Sequence, residues 1–229
     1  MNTIFGKLSA LFTKGKTLYF PGCTTKAKIP HIAQNYEALL KAAGHDVVTL
    51  DMGCCGGFCL DGGYRSDFEQ LRQKNMALFR EHQITRIITN DPFCYRVFQE
   101  HYEIPVDYAA VVLAQRLSCA KTRSETVRYH DACFLAKHKE AIIEEPRNLL
   151  EKKGCALTEF SFCRENAKCC GAGGLLPLNN PALAARVAQR LIADVKDSAS
   201  VKIITASPLC YVHLKNIGCP VVELSEVLD

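Results

Sequence analysis

Ten residues, RIITNDPFCY at 86–95, recur as KIITASPLCY at 202–211, and each copy closes a cysteine set of the same design. The first set is Cys23, the adjacent pair Cys54 and Cys55 followed by Gly56, and Cys94. The second is Cys133, the pair Cys169 and Cys170 followed by Gly171, and Cys210. The intervals within the two sets agree to within a few residues. Chance does not repeat a C…CCG…PxCY pattern, so the chain reads as a tandem duplication in which each half builds a thiolate site.

Four thiolates suit either a tetrahedral zinc ion or an iron–sulfur cluster. Neighbouring side chains diverge, so aiming an adjacent pair at one ion is awkward. A cluster offers several irons, and the two cysteines can take different ones. Gly56 and Gly171 let the backbone come close and accept positive φ, and N–H groups in such loops can point at an anionic sulfur cage. Asp91-Pro92 and Ser207-Pro208 each read as an N-cap followed by proline at the first helical position. Cys94 and Cys210 then fall in a first helical turn, where the thiolate is favoured.

The remaining cysteines carry less signal. Cys119, Cys155 and Cys219 have no repeated neighbours and read as small core residues. Cys59, four residues after Cys55, is a candidate extra ligand, as is Asp91 through a carboxylate oxygen. Cys163, six residues before Cys169, is evenly placed between ligand and bystander. His130 and Asp131 precede Cys133 closely. They can hydrogen-bond to a bound metal's ligands or relay a proton, or His130 can simply bond backbone at a strand end. Arg147 and Arg164 can balance cluster charge, but arginines of this kind are more often solvated.

Elements that would position these groups follow from periodicity. The first half reads as strand 17–22, helix 30–43, strand 46–50, helix 66–82, strand 85–89 and helix 95–102. The second reads as strand 127–130, helix 139–153, strand 156–161, helix 181–197 and strand 201–205. The segments 104–113 and 219–228 also match, and the polar stretch 120–126 reads as a linker. This gives two tandem pseudo-symmetric α/β domains with parallel sheets, 17–118 and 127–229. All three cysteine positions of each half follow strands, so they can converge at the carboxyl edge of a sheet.

Composition sets outer bounds. A chain of 229 residues with 48% hydrophobic and 23% charged residues is ordinary for a globular protein of one large core or two smaller ones. A net charge of +4, with no basic stripe interleaved by aromatics, argues against nucleic acid. Residues 2–13 are interrupted by Lys7 and are too short for a secretory leader. No stretch approaches the ~20 apolar residues of a membrane span. Thirteen cysteines in a reducing, cytoplasmic setting point to metal or redox chemistry rather than disulfides.

From Thr17 to Leu228 the chain resembles the cysteine-rich CCG domain family. PGC at 21–23, GCCGG at 53–57, YHDAC at 129–133, PR at 146–147, CCGAGG at 169–174 and both PxCY segments carry the resemblance. The family includes the cysteine-rich subunit of heterodisulfide reductase, the iron–sulfur subunits of glycolate oxidase and anaerobic glycerol-3-phosphate dehydrogenase, and a lactate-utilisation protein. It implies two domains paired about a pseudo-twofold axis. Its fullest pattern ends in C-P-x-C and gives five cysteines to a non-cubane [4Fe–4S] cluster. Here Asp91 and Ser207 stand at the first cysteine of that motif, so each site keeps four thiolates, enough for an ordinary [4Fe–4S] cluster.

The resemblance implies an iron–sulfur redox subunit with one [4Fe–4S] cluster per half. Electrons would pass between a flavoprotein dehydrogenase or ferredoxin-type subunit and a disulfide, quinone or other carrier. The chain would be cytoplasmic, or peripheral at the inner face of the membrane through a partner. It carries no C-x2-C-x2-C-x3-C-P motif and no G-x-G-x-x-G nucleotide fingerprint, so complete substrate oxidation needs partners. The rival reading is a non-redox module holding zinc in one or both halves, for assembly or anchoring. A metal-free thiolate enzyme ranks below both. Asp91 and Cys59 make the first half the more specialised site, and the second half the more conventional one.

Overall fold

The β-branched runs Ile87-Ile88-Thr89 and Ile203-Ile204-Thr205 form inner strands of two separate sheets, buried on both faces as parallel sheets require. The computed structural model describes residues 15–118, 120–193 and 201–229. The first half runs β1 (Lys16–Phe20), α1 (Cys23–Lys28), α2 (Pro30–Ala42), β2 (Val47–Val48), α3 (Gly57–Asp61), α4 (Arg65–Glu81), β3 (Ile84–Thr89), α5 (Pro92–His101), β4 (Val106–Tyr108) and α6 (Ala109–Arg116). The second runs β5 (Thr126–His130), α7 (Cys133–Ala136), α8 (Glu144–Lys153), β6 (Ala156–Glu159), α9 (Leu176–Asn179), α10 (Pro181–Ala193), β7 (Lys202–Thr205), α11 (Pro208–Asn216), β8 (Val221–Glu223) and α12 (Leu224–Leu228). Strand order is β2-β1-β3-β4 in one sheet and β6-β5-β7-β8 in the other, all parallel. This is the α/β architecture in two similar halves that the repeat predicts.

Several boundaries differ from the sequence reading, for local reasons. The strand expected over 17–22 stops at Phe20, because Pro21 lacks an N–H and Gly22 turns to φ 84°. The helix expected over 139–153 starts at Glu144. The ring of Pro146 would clash with the carbonyl four residues back, so the helix cannot run far ahead of it. Strands 46–50 and 156–161 shrink to Val47–Val48 and Ala156–Glu159, both at sheet edges with one partner each. The helix placed at 95–102 begins at Pro92. The helix placed at 181–197 is seen to Ala193, and its remainder lies outside the described residues, as does Cys119. The short helices α1, α3, α7 and α9 have too few residues to show a period.

The two halves share a core. On one face of the first sheet Leu18, Phe20 and Ile87 pack with Phe79 and Phe98 of α4 and α5. On the other, Tyr19 and Ile88 join a cluster that includes Tyr129, Ile204 and Leu224 of the second half. The helices also cross over: α1 lies against α11, and α5 against α7. Two tyrosines bridge the halves. The Tyr36 hydroxyl donates to Glu223 Oε1 at 2.9 Å. The Tyr108 hydroxyl stands between two equivalent carbonyls, Asn90 O at 3.2 Å and Ala206 O. Among the described residues, no helix is long and apolar enough to cross a membrane.

Candidate metal centres

In each sheet the chain leaves the two inner strands in opposite directions, which opens a crevice beyond their carboxyl ends. Cys23 opens α1 just after β1, and Cys94 is the third residue of α5 just after β3. Cys133 opens α7 after β5, and Cys210 is the third residue of α11 after β7. The loops leaving β2 and β6 bring in the adjacent pairs.

The eight repeated cysteines gather into two rows of four. Cys23 Sγ lies 3.8 Å from Cys54 Sγ, and Cys55 links Cys54 to Cys94 by hydrogen-bonding contacts. In the second row Cys133 contacts Cys169, Cys169 contacts Cys170, and Cys170 Sγ lies 3.0 Å from Cys210 Sγ. All twelve described cysteines are free thiols. Cys55, Cys94, Cys170 and Cys210 are buried, whereas Cys23, Cys54 and Cys133 are partly exposed and Cys169 is exposed. Each row therefore has a dry end and a wet end.

Backbone geometry repeats with the thiols. The amide of Gly56 donates to Cys54 Sγ at 3.3 Å, and that of Gly171 to Cys169 Sγ at 3.3 Å. Both glycines are left-handed, at φ 87° and 90°. A Cβ at Gly56 would come within 2.6 Å of the Phe68 ring, and one at Gly171 within 2.8 Å of Ala184 O. Only glycine fits either place.

Electrostatics follows the same layout and then departs from it. Cys54 is drawn well down as a thiol, chiefly by hydrogen bonds from Cys23 and Cys55, with the Gly56 amide adding to them. Cys169 is drawn down by Cys133, Cys170 and the Gly171 amide. Cys94 and Cys210 occupy equivalent positions and part ways. The Cys55 contact favours the Cys94 thiolate, but burial and the Asp91 charge push the thiol up to about 12. Cys210 is drawn well down by Cys170, against burial, with the nearby His130 and Ser207 also favouring its thiolate.

The groups around each row explain that split. Asp91 caps α5, its Oδ1 accepting from Phe93 N at 2.9 Å and Cys94 N at 3.3 Å. Its other oxygen faces Gly22, where a Cβ would meet it at 3.0 Å and Cys94 Sγ at 3.4 Å. Burial raises the Asp91 carboxyl to about 6 despite its two amide donors, and the Cys210 and Cys54 charges add to the rise. Ser207 caps α11 through Cys210 N at 3.3 Å. His130, expected to hydrogen-bond to ligands, relay a proton or simply bond backbone, turns its ring toward Cys170 and Cys210.

Arg147 overturns the expectation of a solvated side chain. It is 3% exposed and binds Asp131 through both terminal nitrogens at 2.7 and 2.8 Å, and Glu159 at 2.8 and 2.9 Å. Arg164 donates its backbone N to Asp131 at 2.7 Å, and its side chain pairs with Glu144 in solvent. Burial, and after it the charges of Glu159 and Asp131, pushes the Cys163 thiol up. Cys59 feels the Cys54 charge but makes no sulfur contact among the described residues. Cys155 and Cys219 lie in the apolar core, as their lack of repeated neighbours implies.

A cleft opens at the first cysteine of each row, between that cysteine's helix and the final-cysteine helix of the other half. The one at Cys133 has a volume of about 790 Å³ and is edged by Arg96, Glu100, Lys137, Lys139 and Glu140. The one at Cys23 has about 480 Å³ and is edged by Phe58, Leu175, Leu178, Leu209 and Val212.

Two sets of four free thiols are the donor set that an iron–sulfur cluster takes. Among the described residues, the one trio of Cys, His, Asp or Glu donor atoms within 4.8 Å of one another is His130, Cys170 and Cys210. Four sulfurs around one zinc at about 2.3 Å would stand roughly 3.8 Å apart on every edge. Neither row is drawn together in that way.

A family model described as the CCG cysteine-rich domain matches residues 17–99 and 127–215. An uncharacterized iron–sulfur protein of Methanocaldococcus jannaschii is 25% identical over 209 residues, 89% of this chain and 42% of that protein. One subunit of the dihydromethanophenazine:CoB–CoM heterodisulfide reductase of Methanosarcina acetivorans is 26% identical over 216 residues, 86% of this chain and 53% of that subunit. The probable glycolate oxidase iron–sulfur subunit of Bacillus subtilis is 24% identical over 224 residues, 88% of this chain and 50% of that one. The chain thus spans about half the length of these relatives. Among solved structures, a hypothetical protein from Helicobacter pylori shares the fold, with a TM-score of 0.61 at 12% identity over 93% of this chain and 48% of that one.

Proposed function

The chain belongs to the CCG cysteine-rich domain family, and we propose that it is an iron–sulfur redox subunit of a heterodisulfide reductase-like or 2-hydroxy-acid oxidase-like complex. It exchanges electrons between a flavoprotein dehydrogenase or ferredoxin-type partner and a disulfide, quinone or other carrier. Two domains, 17–118 and 127–229, each hold one [4Fe–4S] cluster. Cys23, Cys54, Cys55 and Cys94 hold the first, and Cys133, Cys169, Cys170 and Cys210 the second. Unpaired thiols support a cytoplasmic setting.

The observation that carries this reading is the doubled sulfur row, with a glycine amide donating to the second sulfur of each. Four thiolates spread along a row can take different irons of one cluster, and each glycine N–H lowers the cost of the negative charge. When bound, a cluster supplies one-electron transfer. The chain's own residues do the rest: burial of Cys55, Cys94, Cys170 and Cys210 excludes water from the inner end of each row. The wet end, at Cys23 and Cys133, opens to the clefts where a partner or carrier can approach. Iron–sulfur relatives named as subunits of oxidoreductases support the same class.

Anaerobic purification of the full chain tests it. The expected product is brown, with about eight irons and as many labile sulfides per chain. Colourless protein with stoichiometric zinc would replace this reading with the zinc module.

A further inference from the structure

The second cysteine row carries a buried imidazole where the first carries a benzene ring. His130 ends β5, pairs in register with Thr205 of β7 and is 2% exposed. Phe20 ends β1, pairs with Thr89 of β3 and is 1% exposed. The backbone position therefore does not demand histidine. One of the two ring nitrogens of His130 lies within 4.8 Å of both Cys170 Sγ and Cys210 Sγ, and the buried Nε2 makes no hydrogen bond among the described residues. A buried polar nitrogen without a partner is costly, and beside a row of thiols a bound metal is the partner that would satisfy it.

We propose that His130 is the fifth protein donor of the second site, binding its metal through an imidazole nitrogen beside the four thiolates. The inference rests on the iron–sulfur reading above. Three further features support it. The ring is held edge-on by Phe160, with centroids 5.9 Å apart. The next residue, Asp131, is clamped by Arg147 and by the Arg164 amide, so the turn that aims His130 is rigid. The Ser207 oxygen accepts from the Cys210 amide as a helix cap, and His130 is the non-sulfur member of the donor trio at this row.

The first site has no equivalent imidazole. Its buried non-sulfur group is the Asp91 carboxyl, on the neighbouring strand end. At one position of an iron–sulfur centre a neutral imidazole gives a higher reduction potential than an anionic ligand would, and added negative charge lowers the potential. The second site is therefore the more oxidising of the two.

The test uses the full chain, prepared anaerobically with and without 15N-labelled histidine, and pulsed electron paramagnetic resonance of the paramagnetic state. The expected result is a strong nitrogen coupling that changes with the histidine label and is lost in His130→Gln while iron is retained. His130→Cys, which offers a thiolate instead, should keep iron, lose the coupling and titrate at a lower potential than the parent. A label that leaves the spectrum unchanged overturns the proposal. So does a histidine coupling as weak as that of an N–H···S hydrogen bond, or a His130→Cys potential that does not fall. The labelled parent protein decides the matter even if neither variant folds. Absence of iron from the parent chain would instead overturn the iron–sulfur reading itself.

Discussion

The cleft at Cys23 and the cleft at Cys133 are built from equivalent helices, yet the first is edged mainly by leucine, valine and phenylalanine, with Lys28 and His213 among them, and the second mainly by lysine, arginine and glutamate, with Phe134 among them. The same divergence appears deeper in. Cys94 faces a carboxyl that opposes its thiolate, and Cys210 faces a hydroxyl and an imidazole that favour it. What stayed constant is the backbone around the sulfurs: left-handed Gly56 and Gly171, the capped Pro92 and Pro208, and the strand register. Those features place the sulfurs, and a change at any of them moves one. The side chains that set charge and wetness are free of that constraint. Duplication here has kept two copies of one holder and given them different surroundings.

The strongest way to break this contrast is to delete one site at a time. Cys54→Ser and Cys169→Ser, prepared anaerobically, should each lose about half of the bound iron and leave different electron paramagnetic resonance spectra. Identical residual spectra would mean that the two surroundings make no difference to the centres.

A second comparison concerns stability. Arg147 is buried against Asp131 and Glu159 in the second half. Arg147→Ala leaves Asp131 buried and uncompensated, which should cost about 3–5 kcal/mol. Denaturation midpoints would read the loss, and the second site should release iron before the first. A loss under about 1 kcal/mol, typical of an exposed pair, would show that the clamp does not matter.

The smallest effect tests the register pair Tyr108 and Glu223, which face Thr89 and Thr205 at the same place in the two sheets. Glu223 is fully buried, and burial raises its carboxyl to about 7, against hydrogen bonds from Ser225 and Tyr36. Its folded value lies above the unfolded one, so folding favours the protonated form. The stability this contributes is complete below the unfolded value of about 4.3 and is lost as pH rises through about 7. The swing is on the order of 3 kcal/mol. Glu223→Gln, which can still face Tyr36 and Ser225, should flatten stability over that window in pH-dependent unfolding. Tyr108→Phe should leave the slope in place.

Much of the holder was legible in the chain. The repeated thiols, their glycines and the Asp-Pro and Ser-Pro caps are local signals, and each acts within a few residues of its position. What escaped was set by distance. Arg147 meets Asp131 and Glu159 only after β5, β6 and α8 pack, and nothing in a lone Pro-Arg pair announces two carboxylates. The direction of His130 depends on which face of β5 turns to the cysteine row, and a single strand-end histidine does not disclose that. Edge strands β2 and β6 are short because only one neighbour supports them. The contact of α1 with α11 joins opposite ends of the chain, and that of α5 with α7 joins the two halves, both beyond the reach of any local pattern.

The Tyr108 hydroxyl, held between the carbonyls of Asn90 and Ala206, has a consequence for how such a molecule can arise. Those carbonyls belong to matching residues of the two repeats, so the midpoint between them lies on the axis of any twofold that relates the halves. An axis has room for a single occupant. In a dimer of identical subunits every residue comes in pairs, and two tyrosines would compete for that point. A fused chain escapes the rule: one copy keeps the tyrosine, and the other is released to become Glu223 and face Tyr36 instead. Joining the repeats into one polypeptide thus makes available a centrepiece that symmetry would forbid.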